Sequence, residues 1–424
     1  MSAQLVNEDL QTRWHPFTRV AFRFAFVYLI LFNLPFPFTA FPYVDKVAEP
    51  YNSFWTAIVS RTGPIILNHE VSTEFNGSGD RIYDFLYVAC LFVLAVVVTI
   101  IWTLLDHKRP GYPTLYRWLH LYVRFALGTT MIGYGAYKVI GSQFSRPTLD
   151  RLMQTFGESS PMGLLWTFMG ASEPYTMFVG FAEMVSGILL FSRRTSTLGA
   201  LMSVGVLSNV VALNFSYDVP VKLFSSHLLA MALFLLIPDV RRLVNVFFLN
   251  RPIQPVPLQP LFDKTLLNRG ALVFASLFLI GVVSVSLYQS YDQRSRQVQR
   301  SPLYGVWEVE EFNLGKTQNS AAVQRWRRVI FDSSYRVVAQ TTTDTQERFR
   351  LQMDEQKKTL TLRKREDPNW QTVLTYQEVS PGILTLTGEM GGSPLTAKLR
   401  RTDEPQFLLT NRGFHWINEV PFNR

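Results

Sequence analysis

The chain is 424 residues long, which leaves room for two or three domains. Lys and Arg outnumber Asp and Glu by 41 to 32, a net charge of +9. That excess sits in short segments flanking apolar runs, a membrane-topology pattern that argues against nucleic-acid binding. The single cysteine, Cys90, excludes an internal disulfide and a two-thiol relay within the chain.

The mean hydropathy of +0.10 conceals two halves. Up to about residue 290 long apolar runs dominate, and from about residue 295 the sequence is charged, polar and alternating, a shift that marks a domain boundary. Seven runs approach the ~20 residues that cross a bilayer. They are Phe17 to Phe38, Ile82 to Leu105, Trp118 to Ile140, Tyr175 to Phe191, Ser196 to Phe215, Val221 to Ile237 and Ala271 to Tyr288. The first is long, Phe-rich and without a small-residue cleavage site, so it reads as a span and not as a cleavable signal.

Orientation follows from the basic residues. Arg13, Arg19, Arg23, Lys108, Arg109, Arg117, Arg193, Arg194, Arg241, Arg242, Arg251, Lys264 and Arg269 fall on alternate connections and define a cytoplasmic side. The N-terminus is then inside, and the C-terminal domain lies in the periplasm or at the cell surface of a bacterial inner (plasma) membrane. Two outer segments, Ser53 to Leu67 and Met162 to Met169, are too short to cross and carry Trp, which suits interfacial or re-entrant helices or a lid on the bundle's outer mouth. The proline-rich stretch Asn250 to Pro260 reads as an extended linker before a tethering seventh span.

Ionisable groups inside spans are costly and face the bundle interior. In the third span Arg124, Gly128, Met131, Gly135 and Lys138 share one helical face, with Tyr134 at its edge. In the fourth, Gly180, Glu183 and Gly187 form a matching face. The glycines permit close approach of two helices or of a ligand. An Arg124–Glu183 ion pair is expected, either locking two helices or also lining a cavity. Asp218 and Pro220 read as the cap and first turn of the sixth span. Tyr134, Lys138, Asn214, Tyr217, Asp218, Lys222, Ser226 and His227 all lie toward the outer leaflet, where they suggest an outward-opening polar pocket. A desolvated Lys138 in such a pocket would suit a base. His227 lies roughly 140 degrees from Lys222 on the helical wheel, so these two should not share a wall. The six histidines are scattered without ligand spacing, so neither metal nor haem is expected. No P-loop, dinucleotide fingerprint or nucleophile elbow occurs.

Three stretches, RFALGTTMIGYGAYK (124–138), GFAEMVSGILL (180–190) and SYDVPVKLFSSHLL (216–229), give residues 116–243 a resemblance to the DoxX-like membrane family. That resemblance implies a four-helix membrane core and a link to sulfur-compound:quinone oxidoreductases. The same region more distantly resembles the membrane domain of vitamin-K-dependent carboxylases, through Gly135 to Lys138 and Ser186 to Phe191. By that likeness Lys138 would align with a catalytic base, although Ser208 and Asn209 stand near where those proteins carry a His-containing stretch.

From Pro302 the sequence alternates as eight short strands separated by turns such as DSS, EDPN, SPG and GGSP. Gly305-Val306-Trp307 resembles the opening of lipocalin-type barrels, in which Trp plugs one end. The aromatic tail from Phe407 reads as a closing strand, or as a surface for a partner or ligand.

The expected fold is therefore an α-helical transmembrane bundle of about seven spans with a DoxX-like four-helix core, followed by an all-β antiparallel barrel or sandwich. The expected divisions are 1–115, 116–245, 246–292 and 293–424. Three functions compete: a quinone-linked oxidoreductase component, a non-catalytic envelope assembly or binding protein with a periplasmic partner, and a carboxylase-like enzyme using Lys138 as base.

Overall fold

A computed structural model describes residues 13–41, 44–255, 260–297, 300–315, 324–364, 367, 369–402 and 407–423. Part of the proline-rich linker and of the EDPN turn lies outside them. The described residues fall into two compact units, one within Met1–Ile140 and Met177–Ser290, the other within Gly141–Thr176 and Tyr291–Arg424. Gly141–Thr176, expected within the 116–245 core, thus clusters with the β-domain.

Among the described residues, six helices are long and apolar enough to cross a membrane: Pro16–Asn33, Ile82–Leu105, Glu173–Phe191, Ser196–Ser216, Lys222–Phe247 and Thr265–Gln297. The seventh expected span is the helix Pro113–Val139, whose 27 residues extend about 40 Å. It carries Arg124 and Lys138 and is less apolar than the six. In chain order the helices are α1 (Pro16–Asn33), α2 (Asp45–Leu67), α3 (Ile82–Leu105), α4 (Pro113–Val139), α5 (Leu149–Met153), α6 (Pro161–Ala171), α7 (Glu173–Phe191), α8 (Ser196–Ser216), α9 (Lys222–Leu236), α10 (Val240–Phe247) and α11 (Thr265–Gln297).

Helix ends follow local chemistry. Pro16 and Pro113 occupy first-turn positions of α1 and α4, where a missing N–H costs nothing. Pro35 stops α1 soon after Asn33. Asn68 closes α2 in the left-handed region at φ 51°. The expected interfacial piece Ser53 to Leu67 is part of this 23-residue α2. Its Trp55 and Val59 are buried, Trp55 packs edge-on to Tyr87 of α3, and the Tyr51 hydroxyl donates to the Leu31 carbonyl of α1 at 2.9 Å.

Helices α4 and α7 run antiparallel with backbones in near contact. A Cβ on Gly135 would stand 2.7 Å from the Gly180 carbonyl oxygen, and one on Gly187 would stand 2.7 Å from that of Gly128. Glycines seven residues apart on each helix return to the same face, so these four form one seam. Around it Leu119, Val123, Leu127, Met131, Leu190, Leu207, Met231 and Leu235 build the core of the bundle.

The β-domain is a closed antiparallel barrel of eight strands in sequence order: β1 (Gly305–Leu314), β2 (Trp326–Ser333), β3 (Arg336–Thr341), β4 (Gln346–Asp354), β5 (Thr359–Lys364), β6 (Gln371–Ser380), β7 (Ile383–Met390) and β8 (Ser393–Arg401). Closure comes from β8 pairing with β1, with Trp307 opposite Arg401, so no sheet edge remains. Alternation sends Trp307, Phe331, Phe349, Leu374, Leu384 and Leu399 inward. Trp307 is buried and its indole N–H donates to the Leu303 carbonyl at 2.9 Å. The void among Trp326, Phe349, Leu360 and their neighbours is about 10 Å³, room for at most one water. The tail is not a closing strand. β8 already completes the cylinder, and the described residues after it form one short helix, α12 (Leu408–Asn411), and irregular chain.

Val306, Ile330 and Val338 point outward, and Leu149 of α5 covers them. This part of the connection between α4 and α7 therefore packs on the barrel. Asp150 holds it there. Its carboxylate, 0% exposed, accepts from Thr148 Oγ1 at 2.6 Å and from the Arg336 guanidinium at 2.9 Å, while Gln346 Nε2 donates to its carbonyl. Beside it Asp332 Oδ1 accepts from the Leu149 N–H at 2.9 Å. Burial pushes the Asp332 carboxyl above its usual range, and neighbouring Asp150 adds to the rise, against the lowering by the Leu149 N–H and Arg336. The folded state thus binds this proton more tightly than the unfolded chain does. Stability from this group is full below the ordinary carboxylate range and is lost as pH rises through the raised value. Asp332→Asn keeps the acceptor for Leu149 and removes the titration. Unfolding of the full-length protein across acid and neutral pH should show a flatter profile for Asp332→Asn than for wild type; parallel profiles would refute this account.

Candidate functional site

The sequence-predicted residues separate into several small polar groups. The first is the ion pair of Lys138 Nζ with Glu183 Oε2 at 2.7 Å, with Lys138 6% and Glu183 2% exposed. Tyr134 presents its ring face 5.6 Å from the ammonium. Ser186 Oγ donates to the Glu183 carbonyl at 2.7 Å. The glycine seam lets these side chains meet, because Gly180 brings the α7 backbone against the Cβ of Lys138.

Arg124 does not pair with Glu183. Its Nε and one terminal nitrogen donate to the Leu190 carbonyl at 2.8 and 2.6 Å. Helical Cα–Cβ bonds lean toward their own N-terminus. In an antiparallel pair, Arg124 therefore leans toward the C-terminal end of α7, where carbonyls lack helical partners and the dipole is negative. Lys138 and Glu183 lean toward each other. The wheel placed all three on facing surfaces but carried no information about lean.

At the start of α9 the cap is Asp80 and not Asp218. The Asp80 carboxylate accepts from the backbone N–H of Lys222 at 2.8 Å and of Leu223 at 2.9 Å, and Gly79 N–H donates to the Pro220 carbonyl. Asp218 lies exposed in the left-handed region at φ 50° and pairs with Lys222 Nζ at 2.8 Å. Lys222 also stands 3.8 Å from Asp80. Tyr217 follows the C-terminus of α8, its N–H bonded to the Leu213 carbonyl. Asn214 Nδ2 donates to Ser225 Oγ at 3.0 Å, and Ser226 Oγ turns back to the Lys222 carbonyl at 2.7 Å.

His227 belongs to a fourth group. Its Nδ1 lies 2.7 Å from the Leu223 carbonyl, which only accepts, so Nδ1 carries the proton. In the neutral ring Nε2 then accepts from the Tyr28 hydroxyl at 2.6 Å. Phe32 stacks on the imidazole with centroids 4.3 Å apart, Phe224 stacks on Phe32 at 6.3 Å, and Tyr134 lies 6.3 Å from Phe224. An aromatic series thus runs from the Lys138–Glu183 pair to the Tyr28–His227 pair.

Sequence reasoning missed Tyr28, Phe32 and Asp80. Their partners lie 199, 195 and about 142 positions away, and only the four-residue spacing of Tyr28 and Phe32 hinted at a shared face. It also treated Arg23 as a topology charge. Arg23 is buried, donating to the Tyr112 hydroxyl, Thr103 Oγ1 and the Asp106 carbonyl. Among the described residues, no group of three or more His, Cys, Asp and Glu converges to hold a metal.

No known protein-family profile matches the chain, and no solved structure matches it. It is similar to the uncharacterized protein YwoB of Bacillus subtilis, 33% identical over 124 residues, which is 29% of this chain and 79% of that protein. By that segment the chain belongs to the family of the uncharacterized protein YwoB.

Proposed function

We propose that this chain is a bacterial plasma-membrane protein that presents a filled β-barrel on the outer side and works as a non-catalytic assembly or binding module of the envelope. The observation that carries this reading is the barrel itself: among the described residues, the void between Trp326, Phe349 and Leu360 has room for no more than a water, which leaves the outer surface as what the barrel offers to a partner. The connection between α4 and α7 belongs to the same compact unit as the barrel, which supports both lying on one side of the membrane. The Lys and Arg asymmetry makes that side the periplasm or cell surface. Within the helices the expected pocket residues are held in separate local contacts, among them Lys138 with Glu183, Lys222 with Asp218, Asn214 with Ser225 and His227 with Tyr28.

A second reading, a DoxX-like quinone-handling component of an oxidoreductase, is favoured by the aromatic series ending in Tyr28 and His227. Planar lipid-soluble rings stack on such side chains. The carboxylase-like reading has less support, because Lys138 is held against Glu183 at 2.7 Å and is not a free base.

Two measurements test the reading. In a Cys90→Ser background, Tyr335→Cys places a thiol at an exposed turn of the barrel. A membrane-impermeant maleimide should label it on intact spheroplasts; labelling only after permeabilisation would reverse the topology. Purified protein in nanodiscs should show no saturable tryptophan quenching by menaquinone or ubiquinone analogues. Saturable quenching lost in His227→Ala or Lys138→Ala would replace the module reading with the quinone one.

A further inference from the structure

After β8 the chain ends in a segment with no place in the barrel wall. Leu408, Phe414, Trp416, Ile417 and Val420 are all exposed, Trp416 at 90%. The segment has order of its own: Phe414 and Trp416 meet edge-on at 5.1 Å, the Arg412 guanidinium lies 3.8 Å from the Phe422 ring centroid, and Arg412 donates to Asn418 at 2.7 Å. So many large apolar side chains in so short a stretch are unfavourable in water and mark a contact surface.

The occupant follows from chemistry and connectivity. Helix α11, one of the six apolar enough to span, ends at Gln297, and β1 begins at Gly305. The apolar part of that helix ends near Tyr288, so its last turns and the connection together reach at most about 40 Å, which keeps the barrel near the bilayer surface. Trp and Phe interleaved with Asn, His and Arg is the composition that settles at the lipid headgroup level, with apolar rings toward the acyl chains and polar groups in water. We infer that Leu408–Asn423 lies in the headgroup interface of the membrane that the helices cross and holds the barrel against it. Arg412 and Glu419 offset each other, so the anchoring is apolar and does not require anionic lipid.

The test uses the full-length protein, Cys90→Ser and Asn423→Cys, carrying an environment-sensitive fluorophore at Asn423→Cys and reconstituted in phosphatidylcholine vesicles. Lipids spin-labelled near the headgroup should quench the label several-fold, with little change in high salt. Combining Phe414→Ser, Trp416→Ser and Ile417→Ser should abolish most of that quenching. All three side chains are exposed, so the barrel keeps its near-ultraviolet circular dichroism, and this is checked alongside. An unquenched label in the parent protein overturns the inference, and so does quenching that survives the triple change. A label shielded from soluble quencher but untouched by the lipid quencher assigns the segment to a protein contact and overturns it as well.

Discussion

Replacing Glu183 by alanine destabilises the helical bundle by about 3–5 kcal/mol, because it leaves the Lys138 ammonium buried without its partner. The pair meets at 2.7 Å with both side chains almost fully enclosed, so no water replaces the lost carboxylate cheaply. The physical signature is the asymmetry between breaking the pair and removing it. Lys138→Met combined with Glu183→Leu takes away both charges and keeps the volume, and it should recover most of the loss. The measurement is the unfolding midpoint of the full-length protein in detergent, followed by helicity. If the double variant is as unstable as Glu183→Ala, the pair does more than neutralise itself, and a structural lock is the wrong description of it.

Gly135→Ala carries the second large effect, about 1–3 kcal/mol from overpacking. The added Cβ would stand 2.7 Å from the Gly180 carbonyl oxygen and 2.7 Å from the Met184 nitrogen. Both are backbone atoms, which cannot rotate away as a side chain would. Relief requires α4 and α7 to separate, and separation also lengthens the Lys138–Glu183 contact, so the two effects are coupled. Gly205→Ala in α8 is the comparison. Nothing lies within 4 Å of its added Cβ, and alanine favours a helix over glycine, so it should be neutral or slightly stabilising. Equal losses at Gly135 and Gly205 would mean that the glycine seam does not hold the helices together.

The two predictions separate structure from function at the Lys138–Glu183 pair. A pair that only locks helices tolerates Lys138→Met with Glu183→Leu in every assay. A pair that also serves the aromatic series toward His227 tolerates it in stability but not in ring-ligand binding.

Much of the architecture could be read from composition and periodicity. Apolar runs of membrane length mark the helices because a bilayer offers no water to backbone groups, and period-two alternation marks the barrel because each strand has one face in the core. The facing surfaces of α4 and α7 were legible for the same reason, since glycines seven residues apart must share a helical face. Partner choice was not legible. Lys138 and not Arg124 meets Glu183 because side chains lean along the helix in opposite directions in an antiparallel pair, which needs the relative direction and register of two helices. Asp80 and not Asp218 caps α9 because a carboxylate from a distant loop reaches the free N–H groups first, while Asp218 adopts a left-handed backbone and turns to Lys222. His227 finds Tyr28 across 199 positions. Asp150, an unremarkable acidic residue in an outer connection, becomes fully buried only because two arginine-bearing strands close over it. The sequence by itself determined which segments bury apolar surface and with what period, since that depends on local spacing alone. Tertiary structure decided which polar groups satisfy one another, since a buried charge takes whichever partner the packing brings within hydrogen-bond reach.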